Sequence, residues 1–159
     1  MPTAGRMITV DEATVAAPPR RVFDVVKDVE RWPERLPHYR WVRVRDRDGA
    51  GGGIVEMAAY RPFGAFNWPT WWLSEMEVVP GAPAVRFRHI GGITRGMDVE
   101  WRFEAAGDRT RIRLLHVWNG PAWPLIGGFA ARVVIGPVFV HGIASRTVAG
   151  LSRVAERGA

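Results

Sequence analysis

Three short stretches of this chain bring together side chains that could do chemistry inside an apolar interior. The first is Trp32-Pro33-Glu34-Arg35-Leu36-Pro37-His38-Tyr39, the second Trp72-Leu73-Ser74-Glu75-Met76, and the third runs from Arg88 through Met97-Asp98-Val99-Glu100-Trp101. Glu75 and Glu77 need water, so a strand through them turns Trp72, Ser74, Met76 and Val78 to its other face. The same period of two turns Trp101 and His116 inward on later strands. Large aromatic faces with a few polar tips are the composition of a pocket for a flat, apolar or aromatic small molecule.

Other chemistries fail on residue type or spacing. There is no cysteine, which excludes thiol catalysis, disulfides and cysteine-ligated metal sites. The four histidines, at 38, 89, 116 and 141, lack the close spacing to other ligands that a metal site needs, so neither a metal nor a cofactor is expected. Ser74 and Ser145 are not flanked by the glycines of a nucleophile elbow. Gly49-Ala50-Gly51-Gly52-Gly53 precedes a strand pattern rather than a helix, so it reads as a hairpin turn and not as a phosphate loop.

The elements that must position these residues follow from periodicity. Met7 to Ala16 reads as a strand. Ala17-Pro18-Pro19 starts a helix with Val22, Phe23, Val25, Val26 and Val29 on its apolar face. Pro33 and Pro37 then cut out a short helical piece ending near Tyr39. From Arg40 to Trp118 the period is two, with turn signals at Gly49–Gly53, Pro80–Pro83, Gly91-Gly92 and Gly107-Asp108. About six antiparallel strands are expected there. The helical period returns after Pro121, with Val140, Ile143, Thr147, Leu151 and Val154 on one stripe and a kink or division at Gly136-Pro137. The class is therefore α+β: a curved antiparallel sheet around a long C-terminal helix, with space left between them. At 159 residues one domain, 1–159, is expected.

The order and spacing of Trp32-Pro33 to Tyr39, Trp72-x-Ser74-Glu75, the Trp101 strand and Ser145-Arg146-Thr147 resemble the polyketide aromatase/cyclase branch of the START-like, helix-grip (SRPBCC) superfamily, from about Met7 to Glu156. Coenzyme Q-binding START proteins are similar over the same length. The resemblance implies a helix-grip fold with an internal hydrophobic cavity, in which a poly-β-ketone delivered by an acyl carrier protein undergoes aldol ring closure and dehydration. It implies Tyr39 and Arg88 as catalytic side chains and Trp32, Trp72 and Trp101 as walls, with Leu36, Ser74 and Met76 beside them as ligand contacts. Met76 stands where these cyclases usually carry an arginine, and a thioether can neither donate a proton nor stabilise an enolate. His116 stands where a glutamine-like residue is usual, and an imidazole with a reference pKa of about 6.5 can take over acid–base work. The alternative is a non-catalytic lipid or quinone binder with the same cavity. One conflict stays open: Val85 and Phe87 set a phase that turns His89 inward, whereas the resemblance turns Arg88 inward, and both require a bulge.

Charge bears on partners. Lys and Arg number 22 against 16 acidic residues, Lys27 being the single lysine, for a net charge of +6. The arginines are spread singly and alternate with apolar residues, which describes a solvated strand face rather than a nucleic-acid stripe. An acidic protein partner suits them equally well. Asp11 and Glu12 lie where a signal peptide needs an apolar run, and Arg132, Pro137 and His141 interrupt the stretch from Ala122 to Ala144, so no stable membrane insertion and a cytoplasmic location are expected. Trp71 and Leu73 on the outer strand face leave a homodimer contact open.

Overall fold

The computed structural model describes residues 6–158 apart from 64–65, 82, 93 and 119–139. Strand β1 (Met7–Val15) leads into helix α1 (Pro19–Lys27), a 3-10 turn (Val29–Arg31) and the short helix α2 (Trp32–Arg35). Strands β2 (Tyr39–Arg47), β3 (Gly53–Phe63), β4 (Phe66–Val79), β5 (Ala84–Gly92), β6 (Asp98–Ala106) and β7 (Arg109–Trp118) follow, and helix α3 (His141–Arg157) closes the described chain. The expected division at Gly136-Pro137 lies outside the described residues.

Local sequence explains the helical pieces. Pro18 holds extended backbone and Pro19 occupies the first turn of α1, where no N–H is needed. The buried face of α1 is Val22, Phe23, Val25 and Val26. Phe23 meets Phe103 of β6 edge-on at 5.7 Å. Leu36, immediately before Pro37, leaves α2 in extended backbone, as a residue preceding proline must.

Among the described residues seven strands form one antiparallel curved sheet in the order β1-β7-β6-β5-β4-β3-β2. Neighbouring strands from β2 to β7 pair in sequence. The long-range pairing is β1 with β7, running from Met7 opposite Trp118 to Val15 opposite Thr110. Helix α3 packs against β1, α1 and β3. Its stripe is the one the spacing predicts: Val140, Ile143, Thr147 and Leu151 are buried, and Val154 is partly so.

Alternation sorts each strand into an inner apolar face and an outer charged one. On the outer face Arg45 pairs with Glu56, Arg86 and Arg102 with Glu100, and Arg113 with Glu12. Several of the dispersed arginines are thus a solvated face with acidic neighbours. The β4–β5 ladder carries one irregularity that matters for the interior. Ser74 faces His89 but Leu73 faces Gly91, so Ile90 is skipped. Phase is therefore regular from Val85 through His89 and breaks only after it.

Candidate functional site

The inner face of the sheet, α2 and the start of α3 bring five aromatic rings into one cluster. Trp32 of α2 is its centre. Its indole meets Tyr39 at 5.3 Å and Trp101 at 5.9 Å, both near edge-to-face, and Phe87 at 6.2 Å. The Trp32 N–H donates to the Val26 carbonyl at 3.1 Å, which fixes the ring's orientation. Tyr39 in turn meets Trp72 edge-on at 6.1 Å. Such pairs contribute about 0.5–1.5 kcal/mol each beyond the area they bury.

Between these rings and α3 the described residues line a partly open cavity of about 60 Å³. Trp32, Tyr39, Trp72, Trp101 and His116 all line it, so five residues singled out in the sequence converge there. The hollow is small. A site for a drug-sized ligand is roughly 300–1,000 Å³, whereas this one has room for a few waters.

Four other sequence expectations are corrected in position. Arg88 does not face the cavity. It points outward with its side chain 68% exposed, 3.9 Å from Asp98, because the strand keeps regular phase and turns Phe87 and His89 in. Met76 is buried but sits by Val29, Val55 and Gly52 near the β2–β3 turn. It shares the inward face with Trp72, yet four residues along a strand is about 13 Å, beyond the cavity wall. Leu36 is buried against Gly150 of α3 and lines a separate groove with His38 and Arg146, not the cavity. Ser74 is fully buried opposite His89 in the ladder, behind the lining; among the described residues its hydroxyl has no hydrogen-bond partner.

Two sets of polar groups line the cavity. One is His89, Thr94 and His116. His89 Nδ1 and Thr94 Oγ1 share a hydrogen bond of 2.6 Å. His116 Nδ1 is buried and has no hydrogen-bond partner among the described residues. Burial pushes His116 down to about 4. Burial, and then the neighbouring His116, push His89 down to about 3. Both imidazoles are therefore neutral near pH 7, each with one donor and one acceptor nitrogen. Tyr39 and Thr147 line the cavity as well. Burial raises the Tyr39 phenol above its usual range, and the Thr147 hydrogen bond offsets this in part. The phenol is a proton donor at neutral pH.

Thr94, Thr147, Met57 and Met97 also line the cavity and were not singled out as site residues from sequence. Thr147 carried a signal as a polar residue within the apolar stripe of α3, and Met97 as the start of the alternation that turns Trp101 inward. Among the described residues no group of three or more His, Asp or Glu could hold a metal ion, and no helix is long and apolar enough to cross a membrane.

Comparison with known proteins agrees with this architecture. A candidate polyketide cyclase of Streptomyces cyaneus is 30% identical over 105 residues, 65% of this chain and 67% of the relative. The Zhui aromatase/cyclase of Streptomyces sp. R1128 superposes with a TM-score of 0.82 at 20% identity, covering 96% of this chain and 95% of that one. A START superfamily protein of Mycobacterium smegmatis superposes at 0.76 with 12% identity, over 96% and 99% of the two chains. At such identities the superpositions establish the START-like, helix-grip fold. The model of the family described as polyketide cyclase/dehydrase and lipid transport matches residues 15–138. This chain belongs to that family.

Proposed function

We propose that residues 1–159 act as one ligand-binding unit. The unit takes a flat hydrophobic or aromatic molecule between sheet and α3 and promotes aldol ring closure and dehydration of a poly-β-ketone. The observation that carries this reading is His116 Nδ1, a buried polar atom at the cavity wall without a hydrogen-bond partner among the described residues. Leaving such a group unmet costs about 1–3 kcal/mol, a cost that a ligand oxygen removes.

The chemistry follows from the two polar sets. A neutral imidazole of the His89–His116 pair accepts a proton from carbon between two carbonyls, giving an enolate and an imidazolium. The enolate carbon attacks a second carbonyl, and the Tyr39 O–H protonates the oxygen that develops charge there. The Tyr39 phenolate then takes a second carbon-bound proton while the imidazolium protonates the departing hydroxyl, which leaves as water and returns both side chains to their starting states. Entry of such a substrate requires the rings to part. Met57 and Met97 in the wall are unbranched and can repack around it. An acidic acyl carrier protein is the partner this substrate implies, and outward arginines such as Arg88 suit it. Trp71, 39% exposed on the outer face, is the side chain a homodimer would cover.

One observation favours a second reading, a non-catalytic lipid or quinone carrier. Met76 replaces the arginine usual in the cyclases, and Arg88 faces outward, so no guanidinium lines the cavity among the described residues. Incubation with a short poly-β-ketone thioester separates the two. A cyclised, dehydrated product supports the enzyme. Retention of the unchanged compound in native mass spectrometry supports the carrier. Neither product nor retained ligand removes both.

A further inference from the structure

The hairpin between β5 and β6 brings one hydroxyl onto one imidazole. Across it the His89 N–H donates to the Met97 carbonyl at 2.9 Å and the Gly96 N–H to the His89 carbonyl at 2.8 Å, while the Met97 N–H donates to the Thr94 carbonyl at 3.1 Å. Held this way, buried Thr94 sets its Oγ1 2.6 Å from His89 Nδ1. The Trp72 indole supports the face of the imidazole. Turning the imidazole over would lose the Thr94 contact. Both hairpin residues line the cavity.

Burial keeps the His89 ring neutral near pH 7, so it has one N–H and one bare nitrogen. The partner of one ring nitrogen decides which is which. His89 Nδ1 is the one side-chain partner of the Thr94 hydroxyl among the described residues. If Nδ1 carried the hydrogen, Thr94 would accept it, and the hydroxyl hydrogen of a residue only 3% exposed would be left unmet. With the hydroxyl donating to Nδ1, the unmet hydrogen lies instead on Nε2 of the cavity-lining ring, where a ligand oxygen can take it. Nε2 has no hydrogen-bond partner among the described residues.

We propose that His89, through Nε2–H, is the hydrogen-bond donor to the enolate oxygen, and that Thr94 is the positioning residue that holds it in that tautomer. This rests on the cavity being the site of the ring closure proposed above. His116 is then the imidazole that takes the carbon-bound proton. As that C–H bond breaks, its electron pair moves toward the neighbouring carbonyl and charge gathers on the oxygen. The His89 Nε2–H strengthens its hydrogen bond to that oxygen and keeps its own proton. A donor fixed before the reaction stabilises such charge without reorganising. The step needs one here, because no guanidinium lines the cavity among the described residues.

Two measurements test this. Nitrogen chemical shifts of the His89 ring near pH 7 need no substrate, so they are read whether or not the protein cyclises anything. The wild-type ring is expected to carry its hydrogen on Nε2. In Thr94→Val, which keeps shape and removes the hydroxyl, the Nδ1 resonance should move to the position of an unbonded imidazole nitrogen, and Thr94→Ser should restore it. Hydrogen on Nδ1 in the wild-type protein overturns the proposal even if no variant folds, and an unmoved Nδ1 resonance in a folded Thr94→Val overturns the role of Thr94. Turnover of a poly-β-ketone thioester then separates donor from base. His89→Gln keeps an N–H donor but cannot take a proton, and should stay within about tenfold of wild-type kcat. His89→Leu, with no donor, should lose about 100-fold. Equal losses in a folded His89→Gln and His89→Leu overturn the donor role, whereas an inactive wild-type protein removes the ring closure itself and the donor role with it, leaving the tautomer to the nitrogen spectrum.

Discussion

The imidazole of His89 lies flat on the indole of Trp72, ring centroids 5.7 Å apart and planes 11° from parallel. This stack ties β5 to β4 across the ladder position where Ser74 faces His89. It also decides which of two adjacent residues belongs to the interior. Arg88→Ala should change stability by no more than about 0.5 kcal/mol, the effect of losing an exposed, long ion pair. His89→Ala should cost roughly 2–3 kcal/mol, because it strands Thr94 and opens a void against Trp72. Urea unfolding of the two variants checks this; an equal effect would contradict the assignment.

Stability should fall on the acid side of neutrality. In the unfolded chain each histidine takes a proton as pH falls through about 6.5. In the folded chain burial delays this to about 4 for His116 and about 3 for His89. The unfolded state binds more protons in that window, so the contribution is intact above pH 6.5 and is lost progressively below it. At pH 5 the loss is roughly 2 kcal/mol per histidine. Urea midpoints measured from pH 7 to about 5 should drop steeply, and His116→Leu should flatten the profile. A flat wild-type profile over that range would show that the rings are not buried neutral.

Gly92 should resist substitution. Its φ is +92°, and a Cβ there would lie 2.3 Å from the Trp71 carbonyl oxygen and 2.7 Å from Trp72 Cα. Both are backbone atoms that cannot turn aside. Gly92→Ala should therefore cost at least about 2 kcal/mol and disturb the Trp72–His89 stack. Near-ultraviolet circular dichroism together with thermal unfolding would show both effects. Gly107→Ala, with positive φ but open space around it, is the milder comparison.

Catalysis, under the proposed function, should depend on both polar sets. Tyr39→Phe removes the proton donor and keeps the ring contacts with Trp32 and Trp72. His116→Ala removes the unpartnered imidazole. Each should lower turnover of a poly-β-ketone thioester by about 100-fold or more while leaving the circular dichroism of the fold intact. Unchanged turnover in both variants would remove the mechanism.

Much of the fold was legible in the sequence because alternation leaves little freedom. Charged Glu75 and Glu77 force Trp72, Ser74 and Met76 inward, and Pro18-Pro19 fits the first turn of the helix whose apolar spacing follows it but not a helix interior. The site was legible only in part. Period two says which face a residue takes but not how far along the strand the cavity extends, so Met76 read as lining although it lies past the wall. Arg88 followed the resemblance against the phase of Val85 and Phe87, and the phase prevailed, since the bulge falls after His89. Thr147 and His38 are far apart in the chain. Their 2.9 Å contact depends on how α3 crosses α2, which no local pattern encodes.

The central claim is that the ring-lined hollow opens to take a flat apolar molecule that meets His116. Calorimetric titration with a bicyclic polyphenol tests it most directly. The account predicts one molecule bound per chain, with affinity reduced about tenfold in His116→Leu, the loss of one buried hydrogen bond. Absence of any binding heat or thermal stabilisation with the wild-type protein would contradict it.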